Sequence, residues 1–272
     1  LAFLVLEKGI SKSICIIDKE KNLGMHSSGR NSGVLHAGLY YPPNTRKASV
    51  CTTGSKRLKD WIIERKLPIN NCGKVIVPQT ENLDSQLDEL LYRGRKNGAK
   101  VEIIDKKTLF EICPHATSAS GRAIWSPNTS VVNPKVILDK LEKELLQKNV
   151  RIIKGEKRIN FNLKSNLISL EKENLSYGHL FNCAGLGASE IAHQFNVGKK
   201  FFIIPFKGNY WQIKKSSSLK IATNVYPVPD LNMPFLGVHF TPSALKDGNI
   251  SIGPTATFCF GRENYRGIIG IE

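Results

Sequence analysis

Apolar positions along the chain alternate between helical stripes and short strand-like runs. Residues 45–66 place Ala48, Cys51, Leu58, Trp61 and Ile62 on one helical face. Residues 82–97 do the same with Leu83, Leu87, Leu90 and Leu91, and Gly98 offers the stop. Asn133 reads as the cap of a third helix with Pro134 at its first position and Ile137, Leu138, Leu141 and Leu145 as its core face. Shorter helices are expected over residues 1–8, ended by Gly9, and over 105–113, ended by Pro114. Strands are expected at 13–17, 73–78, 101–104, 123–125, 150–154 and 178–182, with a hairpin arm at 167–170. After residue 200 the pattern turns strand-rich, with runs at 208–214, 234–241 and 249–254.

Helix followed by strand over 133–154 is the rhythm of a parallel sheet. The first expected strand runs into Asp18. An acidic residue there is what a nucleotide-binding unit uses to hold ribose hydroxyls, although many strands end in Asp because loops are polar. The run Cys183-Ala184-Gly185-Leu186-Gly187-Ala188 between a strand and a helix would present backbone N–H groups to a ligand. Residues 29–43 fit neither a helix nor a central strand: they hold Gly29, Gly33 and Gly38, then Tyr40, Tyr41, Pro42 and Pro43. Such a stretch is a shaped loop that lets backbone approach something closely.

Composition narrows the classes. The 272 residues are 41% hydrophobic and 23% charged, the balance of an ordinary globular protein with room for two domains. No apolar run reaches the length of a membrane span. The net charge of +16 reads as a lysine-rich solvated surface, or as attraction to anionic substrates or an anionic membrane face. Nucleic acid is not an expected partner, since the lysines are spread and no recognition motif accompanies them. Cys15, Cys51, Cys72, Cys113, Cys183 and Cys259 form no C-x-x-C pair, so buried free thiols in the cytoplasm are expected and a metal site is not.

Asp18, the loop from Ser28 to Gly38 and the turn from Asn182 to Ala188 resemble the D-amino-acid-oxidase-type FAD-dependent oxidoreductases. Several blocks are similar to the L-2-hydroxyglutarate dehydrogenase/oxidase branch: Arg30-Asn31-Ser32-Gly33-Val34-Leu35-His36-Ala37-Gly38-Leu39-Tyr40-Tyr41, Pro205-Phe206-Lys207-Gly208, Tyr226-Pro227-Val228-Pro229 and Pro234-Phe235-Leu236-Gly237-Val238-His239-Phe240-Thr241-Pro242. Gly253-Pro254 with Ala256, then Arg262-Glu263 and Tyr265, agree. The resemblance covers nearly the whole chain. Against the family pattern, the chain is expected to lack the first strand with its glycine turn and a C-terminal return.

The resemblance implies an α/β Rossmann-like FAD-binding domain, incomplete, plus an α+β substrate domain with a mostly antiparallel sheet. The expected division is 1–66 with 133–198 for FAD and 67–132 with 199–272 for substrate. It implies oxidation of a 2-hydroxy acid, L-2-hydroxyglutarate to 2-oxoglutarate, by hydride transfer to FAD. A related flavoenzyme acting on an amine or glycerol 3-phosphate, and a non-catalytic fragment that holds no FAD, are the alternatives. Cofactor contacts fall on Asp18, Arg30, Asn31, Ser32, Gly33, Val34, His36, Ile159, Ala184 and Gly185. His36 and His239 are the candidates for the hydroxyl proton, with His239 preferred and a hydrogen-bonded structural histidine as the alternative for each. The dicarboxylate substrate is expected at Tyr41, Lys207, His239 and Arg262, with a solvated surface charge as the alternative for the two cations. Tyr40 and Tyr41 also read as packing against Pro42 and Pro43, and Trp125 and Trp211 as core or wall residues. Oxygen or a membrane quinone pool is the implied electron acceptor, reached from the cytoplasm or from the inner face of the membrane.

Overall fold

The computed structural model describes residues 1–214, 216–229, 237–267 and 270. The chain folds into two compact units. One comprises Leu1–Asn31, Pro134–Phe206 and Phe258–Glu272; the other comprises Ser32–Asn133 and Lys207–Thr257. The chain passes from one to the other inside the glycine-rich loop. Residues 32–66, expected with the first domain, cluster with the second unit.

In the first unit the strand Cys15–Asp18 pairs in parallel with Arg151–Lys154, Asp18 standing opposite Lys154. The helix Pro134–Gln147 delivers the second strand, and Asn149 reverses the chain between them at φ 60°. Beyond the ladder, Asp18 and Glu20 carbonyls accept the amides of Glu156 and Gly155. A three-stranded antiparallel sheet of Asn160–Asn162, Leu167–Ser169 and Asn174–Ser176 follows, so the expected arm at 167–170 is its central strand.

The expected strand at 178–182 does not form. A strand exists only through a paired neighbour. Here the chain satisfies itself locally: the Asn182 side chain accepts the Ala184 amide and donates to the Ala188 carbonyl, and the rings of His179 and Phe181 lie 4.5 Å apart.

The second unit is built on a seven-stranded sheet, in the order Trp211–Gln212, Ile250–Gly253, His239–Pro242, Asn224–Pro227, Lys74–Val77, Arg122–Ser126, Glu102–Asp105. Neighbours are antiparallel except Asn224–Pro227 beside Lys74–Val77. The expected run at 234–241 is represented by His239–Pro242; Pro234, Phe235 and Leu236 lie outside the described residues. Lys74–Val77 is buried on both faces. Ile76, Ile124 and Tyr226 face Leu87 and Leu90 of the helix Asp84–Lys96; Val75, Val77 and Ala123 face Leu109 of the helix Lys106–Ile112. Each fully buried Leu or Ile contributes about 1.5–3 kcal/mol, which holds the two helices against the sheet around Lys74–Val77. The helix Arg46–Glu64 starts where the Thr45 hydroxyl accepts the Ala48 amide at 3.2 Å.

Two expectations are corrected. All six cysteines are free, but Cys15 and Cys183 are exposed and only Cys113 and Cys259 are buried. Cys15 opens a strand paired on one side, where an apolar neighbourhood in sequence does not become a covered one. Of the two tryptophans expected as core or wall residues, Trp125 packs against the Val75–Leu109 cluster, while Trp211 is not in the core and stands exposed at the sheet edge. Among the described residues no helix is long and apolar enough to cross a membrane.

Candidate functional site

Strand register gathers the site in the second unit. Val225 stands opposite Phe240 in the antiparallel pair, which sets Tyr226 opposite His239 on one face. In the parallel pair, Tyr226 is level with Ile76, two residues along from Lys74 on the same face. Tyr226 and His239 are consequently stacked, with ring centroids 3.9 Å apart and planes 11° from parallel. The ammonium of Lys74 lies 4.9 Å from the Tyr226 ring centre and 4.4 Å from that of Tyr40.

The loop supplies the remaining members. His36 meets Tyr226 edge-on at 6.0 Å and Tyr40 at 5.9 Å. Its backbone is clamped from two helices. The Cys51 thiol donates to the His36 carbonyl, and Asn97 Nδ2 donates to the carbonyls of Gly38 and Tyr41 at 2.8 and 2.9 Å. Arg93 reaches the Tyr40 carbonyl. Gly38, at φ 93°, has no room for a side chain, because a Cβ there would meet Thr52 Cγ2 at 2.6 Å. Gly38 and Gly29 thus serve contacts within the protein: a Cβ on Gly29 would stand 2.0 Å from the Gly24 carbonyl oxygen.

The two histidines are electrically alike. Burial, reinforced by the Lys74 charge, holds His36 down at about 3, and burial holds His239 down at about 4, Lys74 acting in the same sense. Both imidazoles are therefore neutral at physiological pH. His239 Nδ1 bonds the Gly237 carbonyl at 3.1 Å. A carbonyl only accepts, so Nδ1 carries the proton and Nε2 carries the lone pair. Nε2 of His239 and Nδ1 of His36 are buried and have no hydrogen-bond partner among the described residues. The Tyr226 hydroxyl is a third such atom in the cluster; buried polar atoms are normally paired, and orphans gathered in one cluster are open positions for a ligand.

The structure brings the two candidate histidines into one cluster, and sequence reasoning did not name Lys74 or Tyr226 as members of it or Tyr40 as their neighbour. Of the tyrosine pair, Tyr40 turns into the cluster; Tyr41 carries the Lys47 ammonium 5.3 Å above its ring. Ser32 bonds the Tyr210 hydroxyl, and the Tyr210 ring meets His239 at 6.4 Å. Gly33, at φ 69°, gives its carbonyl to Val132, and Val34 pairs with Val131. Lys207 lies in the two-residue strand Phe206–Lys207, half-buried.

In the first unit Asp18 closes its strand with one carboxylate oxygen on the Glu20 amide at 2.8 Å. The Arg30 guanidinium lies 4.2 Å over the Tyr265 ring and donates to the Met25 carbonyl. Asn31 Nδ2 donates to the carbonyls of Ser27 and Ser28. Ile159 precedes the strand Asn160–Asn162 and is half-buried; Ala184 and Gly185 are exposed and lead through a short turn into the helix Ala188–Gln194. Arg262 is ion-paired to Glu190. Glu20, His26 and Glu263 converge, but Lys19 pairs with Glu263 and the Tyr265 hydroxyl bonds His26, so the group is an ion-pair network.

Comparison with known proteins agrees with this architecture. The profile of the FAD dependent oxidoreductase (DAO) family matches residues 1–268. The chain is 36% identical over 271 residues to the mitochondrial L-2-hydroxyglutarate dehydrogenase of Caenorhabditis briggsae, covering 96% of this chain and 61% of that protein. It is 35% identical over 260 residues to the L-2-hydroxyglutarate dehydrogenase of Indibacter alkaliphilus, covering 93% and 63%. The chain thus spans about three fifths of the length of these curated relatives. Its fold is similar to that of the L-alpha-glycerophosphate oxidase of Mycoplasma pneumoniae, solved with FAD bound, at a TM-score of 0.78 and 22% identity over 94% of this chain and 68% of that one. The parallel pair ending in Asp18, the large mixed sheet and the match over 1–268 converge: the chain belongs to the DAO family of FAD dependent oxidoreductases.

Proposed function

We propose that the chain carries out the FAD-dependent oxidation of a 2-hydroxy acid, L-2-hydroxyglutarate to 2-oxoglutarate. The observation that carries this reading is the neutral imidazole of His239, with Nδ1 committed to a carbonyl and Nε2 buried without a partner among the described residues. A secondary alcohol next to a carboxylate needs such a group to take its hydroxyl proton. The names of the relatives supply the substrate class.

The residues present fit FAD. Asp18 has a carboxylate oxygen beyond the one on the Glu20 amide, suited to a ribose hydroxyl. In the first unit Asp18, Arg30, Asn31, Ile159, Ala184 and Gly185 are the proposed cofactor contacts; in the second they are Ser32, Gly33, Val34 and His36. When bound, FAD supplies the two-electron acceptor that takes the hydride.

The chain's own residues do the rest. His239 Nε2 accepts the hydroxyl proton while the C–H hydrogen departs with its electron pair and the C–O bond becomes C=O. A dicarboxylate beside the imidazole favours its protonated form, so substrate raises the basicity that burial suppresses. Stacking on Tyr226 fixes the ring plane, which keeps the Nε2 lone pair aimed in one direction. Lys207 and Arg262 are the cations for the two carboxylates, with Tyr41 as a further contact. Electrons pass onward to oxygen or to a membrane quinone pool, and the charge of +16 favours docking against the anionic inner face of a membrane.

Anaerobic mixing of the FAD-loaded protein with candidate substrates tests this reading. L-2-Hydroxyglutarate bleaches the flavin absorbance, and amino acids and glycerol 3-phosphate leave it unchanged. Bleaching by either of the latter alone would replace the 2-hydroxy acid as substrate.

A further inference from the structure

Lys74 is the charged side chain of the site that the proton transfer leaves unused. It is fully buried, at 0% exposure, in the strand Lys74–Val77 near the middle of the sheet. Its ammonium donates to the Tyr40 hydroxyl at 3.3 Å and lies over the rings of Tyr40 and Tyr226. Among the described residues no carboxylate is within ion-pair distance of it. A buried ammonium without a counter-ion is costly, and burial pulls Lys74 down to about 7. Methionine would fill the same volume with no such cost, so packing alone does not account for a lysine here.

The titratable groups around it come from five segments of the chain. Cys51 faces it from the helix Arg46–Glu64, His36 and Tyr40 from the loop, Tyr226 from the neighbouring strand Asn224–Pro227, His239 from the strand His239–Pro242, and Tyr210, beside His239, from the residue before the strand Trp211–Gln212. Burial makes Cys51, Tyr40, Tyr210 and Tyr226 hold their protons more tightly, so none of them brings negative charge at neutral pH. Lys74, partly protonated at neutral pH and fully so in the acid range where the imidazoles titrate, is the cation of this group. A cation over aromatic faces orders those rings.

We propose that Lys74 is a positioning residue: its ammonium orders the Tyr40 and Tyr226 rings and, by repulsion, keeps protons off His36 and His239 until an anionic substrate arrives. This rests on the 2-hydroxy acid reading of the same site. The repulsion adds to burial, which is the larger influence on both imidazoles.

The test is NMR titration of ¹⁵N-labelled histidines in the full chain, wild type against Lys74→Met, with the His239 signal assigned through His239→Gln. The His239 midpoint, about 4 in the wild type, rises by roughly half a pH unit or more once the charge is gone. The acid limb of kcat/KM for L-2-hydroxyglutarate moves up with it. If Lys74→Met fails to fold, Lys74→Gln, which keeps a polar end near Tyr40, gives the same reading. An unmoved His239 midpoint, with kcat/KM lowered equally at every pH, overturns the proposal. Titration needs no substrate: a shifted midpoint in a protein inert toward L-2-hydroxyglutarate upholds the role of Lys74 and removes the substrate assignment alone.

Discussion

The imidazole of His239 lies flat on the phenol ring of Tyr226, centroids 3.9 Å apart, because the two residues stand opposite each other on adjacent antiparallel strands. The sheet supplies the stacking platform and the Gly237 carbonyl fixes Nδ1, so together they aim the lone pair on His239 Nε2.

Replacing the stacked ring separates packing from orientation. Tyr226→Phe keeps the ring and leaves turnover within a few-fold of wild type. Tyr226→Leu removes the platform from a fully buried site, lowers kcat by about tenfold or more through misorientation, and costs about 1–3 kcal/mol in urea unfolding. Equal activity of the two variants would remove the stack from the account.

Asn97 is the predicted keystone of the His36 loop. Its amide holds the Gly38 and Tyr41 carbonyls from the end of the helix Asp84–Lys96. Asn97→Ala leaves both acceptors without that donor and costs about 1–3 kcal/mol, measured by chemical denaturation. The same variant weakens flavin binding, read by quenching of flavin fluorescence. Unaltered stability would show that the loop is held elsewhere.

How much of this was legible in the sequence depended on whether a feature is local. Thr45 as a helix start and the stripe of Leu87 and Leu90 declare themselves within a few residues, and both are present in the structure. The expected strand at 178–182 had the right composition and no partner, and pairing is not a local property. Lys74 preceding Val75-Ile76-Val77 reads as the polar end of a strand. Its burial becomes visible only once Asn224–Pro227 and Arg122–Ser126 are seen on either side. Tyr40 and Tyr41 are adjacent, and which of them enters the cluster depends on the turn that Asn97 holds. His36 and His239 stood out because a family resemblance marked them; their stacking platform did not.

Stability should fall with acidity across a defined window. His239 titrates near 6.5 when unfolded and at about 4 when folded. Between these values the unfolded chain binds a proton that the folded one refuses, so stability is full above 6.5 and is lost as pH falls toward 4. That displacement corresponds to about 3 kcal/mol, and His36, held at about 3, acts in the same direction. Lys74 does so at higher pH, losing stability as pH falls from 10.5 toward about 7. Urea midpoints should therefore be lower at pH 5 than at pH 8, with part of the difference absent in His239→Gln. Identical midpoints would contradict burial of neutral imidazoles.

Asp18 separates cofactor binding from fold maintenance. Asp18→Asn keeps an oxygen for the Glu20 amide and loses the charge offered to a ribose hydroxyl. Flavin fluorescence titration should show FAD held about tenfold more weakly, the equivalent of about 1.4 kcal/mol, with the thermal midpoint unmoved. A lowered thermal midpoint with unchanged FAD affinity would make Asp18 a turn residue and nothing more.

The most direct measurement is the rate of flavin bleaching on anaerobic mixing with L-2-hydroxyglutarate, in the wild type and in His239→Ala. The account predicts bleaching in the wild type, slowed in the variant by about 10²–10⁴-fold, the contribution of a positioned general base. Bleaching at a near-normal rate in His239→Ala would contradict it.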